Sequence, residues 1–126
     1  MSVIDTSDYI SGILFNSEIN LAYVSAYKTT STDTKTYTYK SNKLSNNTTL
    51  IATCWSDYST SKAQATIKLN GETILDTTYI AWGTTKTGTY QLTDGDVIET
   101  YVYAYGGISS ASATCKILCK GYLMTV

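Results

Sequence analysis

Asp94, Asp96 and Glu99 form the tightest group of carboxylates in the chain. Two carboxylates are the equipment of a glycosidase, one serving as acid and the other as base or nucleophile. Asp57 is a candidate partner that folding would bring near them. The spacing also suits a plainer role. In Thr93-Asp94-Gly95-Asp96, Asx hydrogen bonds and a glycine of positive φ make a tight turn. A calcium loop would run Asp-x-Asp-x-Asp-Gly to a distal Glu, and the chain lacks that pattern. It also has no His and no Cys-x-x-Cys pair for zinc.

Without His, Ser-His-Asp and Cys-His catalysis have no base. A Ser-Lys dyad needs a buried Lys of lowered pKa, and each Lys falls on a polar face or in a loop. No catalytic residue, metal site or cofactor is expected, and the chain is expected not to be an enzyme.

The aromatic residues are the more informative set. Trp55, Tyr58, Trp82, Tyr101, Tyr103 and Tyr105 fall at loop ends or on strand faces. Aromatic rings offer a polarised apolar surface, and Tyr adds a hydroxyl. Sugar C–H faces stack on such rings while Asp, Asn and Thr bind the hydroxyls. The same residues also fill cores and subunit interfaces, where Tyr and Trp are enriched. Trp55, Asp57, Tyr58, Trp82 and Asp94 are the candidate ligand contacts. Tyr101, Tyr103 and Tyr105 share one strand face at ~6.6 Å spacing, a stripe costly to leave exposed, and are the candidate oligomer interface.

The elements that must position these residues are strands. Residues 5–18 carry Ile10, Leu14 and Phe15 after a polar Asp5-Thr6-Ser7-Asp8, which suits a short helix or an arm outside the sheets. From residue 19 onward, Ile19–Tyr27 and Lys35–Lys40 are strand candidates rich in Tyr, Thr and Val. Residues 28–34 between them are a polar loop or a strand extension. Ser41–Asn47 is a second polar connector, next to the sequons in Asn46-Asn47-Thr48-Thr49, which without a secretory route mean only a polar loop. Thr48–Trp55 is apolar enough for an inner strand.

Lys62–Leu69 alternates cleanly, with Ala63, Ala65, Ile67 and Leu69 facing inward. Asn70-Gly71 follows as a type I′ hairpin turn, pairing Leu69 with Glu72 and Ile67 with Ile74. Thr87–Leu92 is the next strand. In Val97–Tyr105 the residues Ile98, Val102 and Ala104 form the core face. Ala111–Cys119 follows Gly106-Gly107, Gly121 interrupts, and Tyr122–Val126 closes the chain. Ser61, Ala63, Ala65, Thr66 and Lys68 recur at a constant offset as Ser109, Ala111, Ala113, Thr114 and Lys116. That repeat suggests one similar hairpin in each half.

These signals add up to an all-β protein. The expectation is a β-sandwich or jelly roll of about seven to nine antiparallel strands, with an arm or short helix at 1–18 and the sandwich at 19–126. The 126 residues suit one domain, and 43% hydrophobic with 15% charged residues supports a core. With no Pro to blunt sheet edges, neighbouring subunits are expected to cover them. A net charge of −1, with nine scattered Lys and no Arg, gives nucleic acid no basic patch. No signal sequence and no run of about 20 apolar residues is present, so synthesis in the cytoplasm without membrane insertion is expected. Three Cys cannot all pair within the chain. Cys115 and Cys119 lie ~13 Å apart along a strand, too far for a disulfide. Cys54 can reach one of them, but small buried thiols kept reduced are the simpler expectation.

Residues 48–121 resemble the β-sandwich domains of bacteriophage virion appendages: tail-fibre and receptor-binding tips, baseplate carbohydrate-binding domains and head-decoration proteins. The resemblance rests on Ala65-Thr66-Ile67-Lys68-Leu69-Asn70-Gly71-Glu72-Thr73-Ile74 and on Tyr90-Gln91-Leu92-Thr93-Asp94-Gly95-Asp96-Val97-Ile98. The second motif is also similar to one in tumour-necrosis-factor-like jelly rolls. The resemblance implies a homotrimer, other virion proteins as partners, host-surface glycans or proteins as targets, and a place on the virion after synthesis in the host cytoplasm. No collagen-like or coiled-coil stem is present, and no binding residue carries over from these families. The expected function is thus a non-enzymatic virion structural protein of the tail-fibre, receptor-binding or capsid-decoration type. The alternative is a stand-alone microbial lectin or carbohydrate-binding module.

Overall fold

The computed structural model describes residues 17–40, 48–119 and 122–125. They form nine strands: β1 Ser17–Tyr27, β2 Thr30–Lys40, β3 Thr48–Ser56, β4 Ser61–Leu69, β5 Glu72–Asp76, β6 Thr84–Tyr90, β7 Val97–Gly106, β8 Ser110–Cys119 and β9 Tyr122–Thr125. One sheet has the order β1-β8-β3-β6 and the other β5-β4-β7-β2-β9, with every pairing antiparallel. Only β4 and β5 are consecutive strands of the same sheet. Each other connection crosses from sheet to sheet, which is the winding of a jelly roll. The expected arm at 1–18 keeps only Ser17 and Glu18 within the described residues, as the start of β1. The Ser41–Asn47 connector and Gly121 lie outside them.

Alternation accounts for the core. Ala63, Ala65 and Ile67 of β4 are fully buried, as are Ile98, Val102 and Ala104 of β7. β3 is an inner strand, held between β8 and β6. Residues 30–34 extend β2. Its inward positions Asp33 and Lys35 pair with each other at 3.8 Å beyond the stretch that β9 covers, Tyr37–Lys40. Inward charges of this kind blunt an open edge.

Three sequence expectations need correction. Asn70 and Gly71 take φ of 52° and 84°, as a type I′ turn requires, and Leu69 pairs with Glu72; but Ile67 pairs with Leu75, not Ile74. A β-bulge at Ile74 re-aims the strand and turns Leu75 into the core. The strand expected at 87–92 runs instead from Thr84 to Tyr90. It lies at a sheet edge, where few of its side chains are buried and alternation marks no boundary, and Leu92 is buried from the following loop. Finally, β4 and β8, the two copies of the repeat, face each other across the core, but only β4 continues into a hairpin. β8 is followed by β9 in the opposite sheet.

The core is graded along its length. At the end carrying the β3–β4 turn, the inward residues are small: Ala26, Cys54, Ser56, Ser61, Ala63, Ala104, Ala111 and Ala113. At the other end they are Leu21, Tyr37, Tyr39, Leu50, Ile67, Leu75, Leu92, Ile98 and Ile117. Tyr37 donates its hydroxyl proton to the Leu21 carbonyl. Burial, reinforced by Asp33 and Cys115, raises that phenol to about 12.

Cys54 and Cys115 are free and buried. Cys54 stands opposite Ala113, and Cys115 opposite Ala52. This diagonal placement puts their Cα atoms ~7–8 Å apart, beyond disulfide reach. Burial raises the Cys115 thiol from 9.0 to about 12, against weaker lowering by hydrogen bonds to the Thr66 and Tyr101 carbonyls. The folded state therefore keeps a proton that the unfolded chain releases. Stability is full below pH 9 and should fall as pH rises toward 12. The Cys115 contribution is about 1.4 kcal/mol per pH unit inside that window. Urea unfolding at pH 8, 9 and 10 should show a plateau up to about pH 9 and a fall from there to pH 10, and Cys115→Ala should remove that fall.

Candidate functional site

Three connections meet at the small-residue end: β1–β2, β3–β4 and β7–β8. The Gly106 amide donates to the Thr29 carbonyl at 2.9 Å, and the Asp57 amide to the Ser110 carbonyl at 2.9 Å. Ser109 Oγ donates to Asp57 Oδ2. The backbones approach so closely that glycine is obligatory at two points. A Cβ on Gly106 would overlap the Ala26 carbonyl of the opposite sheet, and one on Gly107 would lie 2.6 Å from the Thr60 carbonyl oxygen. The β5–β6 loop joins them, since Ser56 Oγ donates to the Ala81 carbonyl.

On this frame stand four of the five candidate ligand contacts. Trp55 is the penultimate residue of β3 and points outward, 49% exposed. Tyr58, in the β3–β4 turn, is 55% exposed, and Trp82, in the β5–β6 loop, 59%. A Cβ on Gly83, the residue after Trp82, would touch the Trp55 indole at 3.4 Å, so this loop lies against Trp55. Asp57 belongs here too, but its carboxylate clamps two turns together through Ser109.

Asp94 lies at the opposite pole. Its loop is tied to the end of β2 by the Gly95 amide on the Tyr39 carbonyl at 3.0 Å, and Asp94 pairs with Lys40 at 3.7 Å. Asp96 accepts from the Thr93 amide at 2.9 Å and from Asn70 Nδ2 at 3.1 Å. The turn expected at 93–96 is thus present, with Gly95 at φ 91°. Asp57 is at the far end of the sandwich from it, so no carboxylate pair forms between them. Asp76, a residue the sequence did not single out, accepts from Gln64 Nε2 at 3.0 Å and from the Thr78 amide at 2.8 Å. These carboxylates hold structure together. Among the described residues no group of three or more Cys, Asp or Glu side chains is placed to hold a metal ion, and no helix is long and apolar enough to cross a membrane.

The outer faces of the two sheets differ in chemistry. On the four-stranded sheet, Tyr23 and Tyr27 of β1 are 55% and 59% exposed. They stand with Trp55 among the Ser and Thr side chains of β3, β6 and β8. The Lys116–Glu18 pair, at 3.6 Å, is the ion pair on this face among the described residues. A shallow depression of about 500 Å³ beside Trp55 is floored by Thr53, Thr84, Thr85, Ser112 and Thr114. Charge depletion with exposed aromatics is the composition of an interface or a sugar platform. Tyr23 and Tyr27 were not candidates from sequence; their alternation with buried Ala22, Val24 and Ala26 was the available signal.

On the five-stranded sheet, Tyr101, Tyr103 and Tyr105 do share the outer face of β7, flanked by charged residues of β4. The stripe is partly covered. Tyr79, from the β5–β6 loop, packs on Tyr103 with ring centroids 5.3 Å apart and hydroxyls 3.3 Å apart. That hydrogen bond raises the Tyr103 phenol above its usual range, with burial adding to it. Lys62 Nζ sits 4.9 Å from the centre of the Tyr79 ring, a cation–π contact.

No protein-family model matches the chain, and neither does any curated protein. The loop frame makes one direct prediction. Gly107→Ala must push a methyl group against the Thr60 carbonyl, so it should destabilise the fold by about 1–3 kcal/mol and shift tryptophan emission as Trp55 and Trp82 move. Urea unfolding followed by fluorescence reads both effects.

Proposed function

We propose that this chain is a non-enzymatic attachment protein of the virion-appendage kind, a jelly-roll module that assembles as a homotrimer and engages carbohydrate on a cell surface. The observation that carries this proposal is the aromatic end of the sandwich, where Trp55, Tyr58 and Trp82 project from interlocked turns. Large exposed rings on a rigid frame suit stacking against sugar faces, because little side-chain freedom is lost on binding. Asp57, Asp76 and Asp96 are engaged in turns and clamps, which favours recognition over acid–base chemistry at these carboxylates. Tail-fibre tip, receptor-binding domain and capsid decoration all share this design, since each multiplies weak sites by copy number.

Self-association fits the β1 edge of the four-stranded sheet, which leaves Trp55 two strands away, better than the Tyr101–Tyr103–Tyr105 stripe. Tyr23 and Tyr27 are more exposed than Tyr101 and Tyr105, at 37% and 38%, and their surroundings carry fewer charges. A stand-alone lectin would use the same aromatic end as a monomer.

Light scattering and glycan-array binding test the proposal together. The expected result is three times the chain mass, with array binding that Trp55→Ala and Trp82→Ala each weaken by at least about tenfold, which is ~1.4 kcal/mol. A monomer that binds glycans would overturn the trimeric assembly in favour of the lectin. Binding unaffected by either substitution would overturn the aromatic end as the contact surface.

A further inference from the structure

The five-stranded sheet carries a second site on different residues. Strand register builds it. Thr34 of β2, Tyr101 of β7 and Thr66 of β4 stand in one row across the sheet, and Thr36, Glu99 and Lys68 in the next. All of these point outward, because the alternate residues Ile98, Thr100 and Val102 are buried in the core. Where the two rows meet, a depression of about 290 Å³ is lined by Thr34, Thr66, Lys68, Glu99, Thr100 and Tyr101.

Its chemistry is specific. Lys68 and Glu99 are direct register partners on neighbouring strands, so their Cα atoms lie ~5 Å apart. The ion pairs of the described residues nevertheless join other groups, which leaves this ammonium and this carboxylate facing the depression. Beside them are two hydroxyls, those of Thr34 and Thr66, and a half-exposed phenol ring, that of Tyr101. The site therefore offers one cation, one anion, the Thr34 hydroxyl as donor and acceptor, the Thr66 hydroxyl as an acceptor because its proton goes to Asp76 Oδ1 at 3.4 Å, and one apolar disc, with no net charge among the lining side chains.

We propose that this depression binds a neutral pyranose unit. Tyr101 lies against the apolar C–H face of the ring. Two vicinal hydroxyls donate to Glu99 and accept from Lys68 at the same time, since each hydroxyl is both donor and acceptor. Ligands of net charge are disfavoured, because either sign meets a like charge within the site. A small zwitterion would match the charges but leave Tyr101 uncovered. The Tyr79–Tyr103 pair stands one row further along β7. The proposal shares only its ligand class with the aromatic end and stands on none of the same side chains. Two weak sites per subunit, on different surfaces, would let one copy hold two branches of a surface glycan and raise avidity further.

The test is an amide-resolved NMR titration of the whole chain with the methyl glycosides of glucose, galactose, mannose and N-acetylglucosamine. At least one of them should shift the amides of Thr34, Thr66, Lys68, Glu99 and Tyr101 together. Tyr101→Ala should weaken that response at least tenfold, and Glu99→Gln and Lys68→Ala should each weaken it severalfold while leaving the rest of the spectrum native. Trp55→Ala should leave it intact. Shifts confined to residues around Trp55, Tyr58 and Trp82 would overturn this site while supporting the aromatic end. Shifts here that survive Tyr101→Ala would overturn the stacking geometry. No shift anywhere would count against both.

Discussion

The approach of the Gly106 backbone to the Ala26 carbonyl of the opposite sheet is the constraint on which the rest of the structure depends. Two sheets can meet this closely only if nothing larger than a methyl or a hydroxymethyl group stands between them. The inward positions near that contact obey the limit, from Ala26 through Ser61 and Ala63 to Ala104, Ala111 and Ala113. Bulk returns at the other end, where Leu50, Ile67, Ile98, Ile117 and Tyr39 fill the wider space. Interiors are packed to crystal-like density, so the gradient in side-chain volume matches a taper in the sandwich.

The taper decides where aromatic residues go. With no room inside, Tyr27, Trp55, Tyr58 and Tyr105 stand on outer faces or in turns at the closed end. Tyr37 and Tyr39 can be buried only at the wide end. The closed end also draws its connecting turns together, and Asp57, Ser109, Ser56 and Thr29 bind them to one another. A rigid aromatic surface is therefore a consequence of the same packing that closes the core. The sheets then divide the surface chemistry, with aromatic and hydroxyl groups on the four-stranded sheet and a charge-balanced aromatic row on the five-stranded one.

Much of this was legible in the sequence, and the rest was hidden for identifiable reasons. Period-two alternation marked β4 and β7 because one face of each is wholly buried. The Asn70-Gly71 dipeptide announced its turn because both residues need positive φ. The start of β2 was ambiguous, since Thr, Asp and Lys occupy both of its faces at the rim of the sheet. β6 begins three residues and ends two residues before the expected bounds for a similar reason, as an edge strand with little buried surface. The bulge at Ile74 had no local signature; it exists because Leu75 is needed in the core. Trp55, Asp57, Tyr58 and Trp82 could be nominated as loop-end residues, but which pole each loop occupies depends on crossings between sheets. Asp94 fell at the other pole for that reason alone. The depression at Tyr101 depends on register across three strands, which one chain read linearly does not display.

The most direct test of the taper is the unfolding free energy of Ala111→Val. Ala111 is 1% exposed and lies on the β8 face turned toward β4. If the sheets close there as described, two added methyl groups have no space, and the substitution should cost about 1–3 kcal/mol with a shift in tryptophan emission. Unchanged or increased stability would mean that the closed end holds unfilled volume. The outward display of the aromatic residues would then need another cause.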